Sequence, residues 1–253
     1  MRNVIDAIIY VILFYVIQIV SSLVFTLIMG DCTQSLVLGL GTAAVITILL
    51  FHFAGFSPLR SSYIKSRPWS LLAWMALLAL SLIAPLQYLE ELLSADMPST
   101  TAATLSALLF HPLGFIIVVF LTPIAEEMVF RGGILRKLLP CVRNPWIAIV
   151  VTSIVFGIAH GNMPQFIHAV IIGILLGWTY WRTRSILPAL VVHLVNNLAA
   201  STLCHMYPYN LDITLPEMFH GNLALMYSVI AVSIIVAIVS LWRVVKEIKV
   251  SNN

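Results

Sequence analysis

Charge is what this sequence has least of. Only 9% of its 253 residues are Asp, Glu, Lys or Arg, against roughly 25% in soluble domains, and so few charges cannot cover a water-exposed surface. Cysteine is scarce as well: Cys32, Cys141 and Cys204 form no CxxC pair and no metal-type spacing, which argues against a disulfide framework or a zinc–thiolate centre. They are assigned no role. No HExxH helix signature occurs, no internal repeat, no low-complexity tract, and no basic patch interleaved with exposed aromatics of the kind that binds nucleic acid.

What is abundant is apolar surface, at 61% of residues. Windows of about 20 apolar residues predict helices near 4–29, 35–54, 69–90, 113–139, 146–160, 164–182, 187–206 and 222–243. Turn chemistry such as Gly30-Asp31, Ser57-Pro58, Asn144-Pro145 and Leu187-Pro188 marks the breaks. The first run is too long for a signal-peptide core of about 7–15 residues and is read as a retained span. The expected fold is therefore an all-α, polytopic transmembrane bundle of about eight helices. We divide it into residues 1–104 with helices one to three, a core at 105–206, and residues 207–253 with an external loop, the last helix and a tail.

The basic residues test this count, because Lys and Arg accumulate on the cytoplasmic connections. Arg2 precedes span one, Arg60, Lys65 and Arg67 follow span two, Arg136, Lys137 and Arg143 follow span four, Arg182 and Arg184 follow span six, and Arg243, Lys246 and Lys249 follow span eight. The other connections hold Asp31, Glu90, Glu91, Asp96, Asp212 and Glu217 and no basic residue. Both termini are expected to be cytoplasmic.

Ionisable groups inside membrane helices are expensive, at least about 2.5–3.5 kcal/mol each on insertion scales, and usually mark function. Here they concentrate in spans four to seven: Glu126, Glu127 and Arg131 in span four, His160 in span five with Phe156 four residues before it, and His193 in span seven with Asn197 four residues after it. Residues four apart share a helix face, so Glu127 and Arg131 are expected to pair, either as a structural ion pair or as part of a site. Glu126, about 100° away around the helix, must find another partner. Pro123 withholds a donor from Val119, predicting a kink just before the glutamates. Gln165, His168 and Asn196 are read as helix-packing or pore-lining residues, and Gly173 with Gly177 as a small-xxx-small contact. His52, His111, His205 and His220, at span ends or in loops, are given no role. Counted at 1.5 Å per residue from the basic ends, Glu126 and His160 lie about 20 Å deep and His193 nearer 8 Å. Convergence therefore requires tilt, a kink or a late start to span seven.

These residues resemble the CAAX-protease and bacteriocin-processing membrane peptidases, a family that includes the type II CAAX prenyl endopeptidases. Its motifs are EExxxR, FxxxH and HxxxN, matched here by Glu126, Glu127 and Arg131, by Phe156 and His160, and by His193 and Asn197. The resemblance covers roughly residues 105–205 and implies an intramembrane endopeptidase acting on membrane-associated or lipid-bearing peptides. Glu126 and His160 are suited to hold and deprotonate a water, and His193 and Asn197 to donate hydrogen bonds to the oxyanion. No cofactor is favoured; the alternative is a zinc ion held by Glu126, His160 and His193. The implied partners are a peptide or membrane-protein substrate and the lipid bilayer, in what resembles a bacterial inner membrane protein. The competing functions are a non-enzymatic scaffold or bacteriocin self-immunity protein, and a proton-coupled transporter.

Overall fold

The computed structural model describes residues 1–58, 68–94, 102–161, 163–208 and 213–251. The expected basic residues Arg60, Lys65 and Arg67 and the acidic Asp96 and Asp212 lie outside the described residues. Among the described residues the chain is helical without strands, and the long helices fall where the apolar runs placed them. They are α1 (Arg2–Met29), α2 (Thr33–Phe53), α3 (Trp69–Ser94), the short α4 (Ala102–Phe110), α5 (Pro112–Cys141), α6 (Pro145–Ile158), α7 (Met163–Thr183), α8 (Leu187–Met206), the short α9 (Leu215–Met218) and α10 (Leu223–Ser251). Six of these, α1, α2, α3, α5, α8 and α10, are individually long and apolar enough to cross a membrane. With its 14 residues α6 is about 21 Å long, short of the roughly 30 Å hydrocarbon core.

Each outer helix inverts the pattern of a soluble one. In α1 the exposed stripe is Ile5, Ile8, Ile12, Val16, Ile19 and Leu23, while Ala7, Tyr10, Phe14 and Ser21 turn inward. An apolar stripe that finds no protein partner is stable only against lipid. The chain is an integral membrane protein.

The inward faces form two packed lobes. One joins α1, α2, α5 and α6 through Phe14, Phe51, Met128, Phe130 and Phe156. The other joins α3, α7, α8 and α10 through Met75, Ala79, Leu176, Val192 and Val244. Helix α7 lies against α6 at close range: a Cβ on Gly173 would sit 3.0 Å from Ser153 Cβ and one on Gly177 3.0 Å from Ile149 Cγ2, in keeping with the small-residue spacing.

Helix α5 changes its helical type around Pro123, where a proline disturbance is expected. Two π-helical stretches, Ile117–Leu121 and Met128–Leu135, flank an α-helical turn at Thr122–Glu127. The Thr122 N–H reaches back to Ile117 O, and Pro123 offers no N–H, so the Val118 carbonyl loses both its α-type and its π-type donor. The proline is absorbed by a widened turn that leaves Val118 O, in place of the anticipated Val119 O, in need of a donor.

Candidate active site

The middle of α5 places Glu127 and Arg131 four residues apart on its inner face, 0% and 1% exposed, with Arg131 Nη1 donating to Glu127 Oε1 at 2.9 Å. Arg131 Nη2 also donates to Gly173 O at 3.3 Å, and its guanidinium lies 4.5 Å from the Phe156 ring centroid. The same Glu127 Oε1 is 2.9 Å from His193 Nδ1. A carboxylate accepts, so Nδ1–H donates, which fixes the imidazole and aims Nε2 at the second glutamate: His193 Nε2 is 3.5 Å from Glu126 Oε2.

The Glu127–Arg131 pair is incompletely satisfied. Buried ion pairs stabilise only with excellent geometry and every polar atom satisfied. Here Arg131 reaches the carboxylate through Nη1, and Glu127 Oε2 is buried without a hydrogen-bond partner among the described residues. The carboxylate oxygen that receives Arg131 also receives His193.

Phe156 is the spacer around which the other groups are arranged. Its ring meets His160 edge-on at 4.9 Å and His193 at 5.7 Å, while its carbonyl receives His160 Nδ1 at 2.9 Å. Because a carbonyl only accepts, His160 carries a proton on Nδ1, leaving Nε2 as its basic nitrogen.

Glu126, His160, His193 and Asn197 line one cavity of about 370 Å³ between the two lobes. The expected depth mismatch of His193 is absent, for two reasons. The turn into α8 is drawn into the bundle, with Ser185 buried and Ile186 packed against the lobe of Phe51 and Phe130. The other reference point is also displaced, since Arg136 turns inward to Gly132 O and Phe56 O, each at 2.8 Å. Residue counting from the basic residues misplaces His193, whose Nε2 lies 3.5 Å from Glu126 Oε2.

Asn197 sits differently from its expected task. Its Nδ2 donates to Val118 O at 3.0 Å, the carbonyl that the Pro123 turn leaves bare. Among the described residues no group of three His, Cys, Asp or Glu side chains is placed as a ready metal site, and the three zinc-set residues Glu126, His160 and His193 all line the cavity.

The sequence reading missed Glu90, placing it on an external connection. It is in α3 and lines the cavity with Gln87, one turn earlier on the same face, a three-residue spacing that was available as a signal. His168 and Asn196, read as packing or pore-lining, form a connected network there: His168 Nδ1 is 3.2 Å from Glu90 Oε2, and Nε2 is 3.0 Å from Asn196 Oδ1.

Residues 108–199 match the family model of the Rce1-like type II CAAX prenyl endopeptidases, a stretch that contains all three motifs. No curated protein and no solved structure matched the chain. The similarity to that family covers residues 108–199, the stretch that carries the three motifs in their order.

Proposed function

We propose that the chain is an intramembrane endopeptidase that hydrolyses peptide bonds of membrane-associated peptides with a water activated at Glu126. The observation that carries this is the single Glu127 oxygen shared by Arg131 and His193, which points His193 Nε2 at Glu126 in a cavity between the lobes. Hydrolysis needs a base, an oxyanion donor and an acid for the leaving amine. Glu126, partly exposed to the cavity, accepts the proton of the attacking water, with His160 Nε2 as the second group able to hold that water. To donate from Nε2 to the developing oxyanion, His193, clamped at Nδ1, acts as the imidazolium, with one N–H toward Glu127 and the other toward the oxyanion, and the proton taken up by Glu126 returns to the leaving nitrogen. Arg131 balances the charge of Glu127 within the clamp.

Asn197 works at one remove, by holding the α5 turn that presents Glu126. No step is routed through a metal, and a zinc ion held by Glu126, His160 and His193 is the alternative that the chelator comparison tests.

The experiment is cleavage of a broad peptide set by the purified protein in lipid, comparing wild type with Glu126→Ala and His160→Ala, each with and without chelator. The expected result is cleavage by wild type alone, unchanged by chelator. Loss on chelation with recovery on added zinc overturns the metal-free chemistry, and wild-type rates in Glu126→Ala overturn the assignment of the base.

A further inference from the structure

Each helix that lines the cavity does so from the same end of the bundle. Leu40 lies in the first half of α2, Glu90 in the last turns of α3, Val118 near the start of α5, Phe156 in the last turn of α6, His168 near the start of α7 and Leu203 near the end of α8. These are the ends joined through the connections that follow Met29, Ser94, Ile158 and Met206. The basic residues occupy the opposite ends: Arg2 opens α1, Arg136 and Lys137 close α5, Arg143 precedes α6, Arg182 and Arg184 close α7, and Arg243 and Lys246 close α10.

Exposure grades in the same direction. The side chains of His168 and Glu90 are 25% and 22% exposed, Glu126 15%, His193 5%, and Glu127 and Arg131 0% and 1%. The cavity is thus wettest at the Glu90–His168–Asn196 network and closes at the Glu127–Arg131 pair. Among the described residues this wet end carries no Lys or Arg; Asp31, Glu90, Glu91 and Glu217 are found there. Hydrogen bonds from the Thr214 backbone and hydroxyl hold the Glu217 carboxyl below its ordinary range, so it stays ionised. Glu91 also accepts from Gln87 and from the Leu215 N–H, which ties α3 to α9 at this end.

Positively charged ends stay on the cytoplasmic side. We propose that the catalytic cavity opens to the extracytoplasmic face, and that its substrates are peptides or membrane-protein segments with basic residues that reach it from that side. The specificity follows from the field: an end of the bundle that holds carboxylates and, among the described residues, no Lys or Arg concentrates cationic segments and repels acidic ones, and salt weakens both effects. This substrate assignment rests on the peptidase reading; the sidedness does not.

Two arms separate them. Native cysteines give the sidedness, because Cys32 is exposed at the cavity end and Cys141 is exposed at the basic end. In intact cells a membrane-impermeant thiol reagent is expected to label the Cys141→Ser/Cys204→Ser protein through Cys32, and the Cys32→Ser/Cys204→Ser protein only after permeabilisation. A third protein, with all three cysteines replaced by serine and Glu90→Cys added, is expected to label from outside. Labelling of Cys141 from outside, or failure of Glu90→Cys to label in intact cells, overturns the sidedness. The second arm offers peptides with Lys or Glu flanking a common core to the outside of sealed, right-side-out vesicles. A several-fold higher kcat/KM for the Lys-flanked peptide, shrinking with salt, is expected; equal rates or preference for Glu overturn the specificity. Correct labelling without cleavage of any peptide overturns the peptidase reading and leaves the sidedness standing.

Discussion

Asn197 donates its side-chain amide to the backbone carbonyl of Val118, the one that Pro123 and the widened turn before it deprive of a donor. A residue from α8 thereby completes the backbone of α5 four positions before Thr122, where the turn bearing Glu126 begins. A buried carbonyl without a partner costs about 1–3 kcal/mol, so the contact fixes both the turn and the spacing of the two helices.

Asn197→Ala is therefore expected to lower stability by about 1–2 kcal/mol and to reduce cleavage through displaced Glu126. Pro123→Ala restores a backbone N–H at the turn, so Asn197→Ala costs less in that background. Thermal unfolding of the four proteins of this double-mutant cycle in detergent gives the coupling. Strict additivity of the two substitutions contradicts the link between Pro123 and Asn197.

Breaking one side of the buried ion pair leaves the other charge stranded, at about 3–5 kcal/mol. Both Glu127→Ala and Arg131→Ala are expected to unfold at markedly lower temperature. The double replacement Glu127→Leu/Arg131→Leu is expected to recover most of that loss and still cleave nothing, since His193 is no longer clamped. Stability and activity recovered together assign the pair a packing role only.

Gly132 marks a contact of a different kind. A Cβ there would lie 1.8 Å from the buried Ser57 Oγ and 2.8 Å from its Cβ, at the point where Arg136 also grips Phe56 O. Gly132→Ala is expected to cost about 1–3 kcal/mol by overpacking, readable as a fall in midpoint temperature. In the background Ser57→Gly, which removes the clashing side chain, most of the loss is expected to return.

The positions of the helices were legible because an apolar run of membrane length has few other fates. The Glu127–Arg131 pair followed from spacing along one helix. What was not legible depends on relations between helices. The approach of His193 to both glutamates required knowing that Ser185 and Ile186 are drawn into the bundle, which no count along α8 reveals. The Pro123 turn was anticipated as a disturbance, but the donor to its freed carbonyl comes from another helix, Asn197. Glu90 was misplaced because a carboxylate near a span end reads as a loop residue until the cavity beside it is seen.

Glu126 is the group on which the chemistry turns, and it is also one that packing does not need, being partly exposed to the cavity. The most direct measurement compares turnover of a cleaved peptide by wild type and Glu126→Gln in lipid, with unfolding midpoints recorded on the same samples. Loss of the base predicts a fall of about 10²–10⁴-fold in kcat at an unfolding midpoint close to wild type. Undiminished turnover by folded Glu126→Gln contradicts hydrolysis by water activated at Glu126.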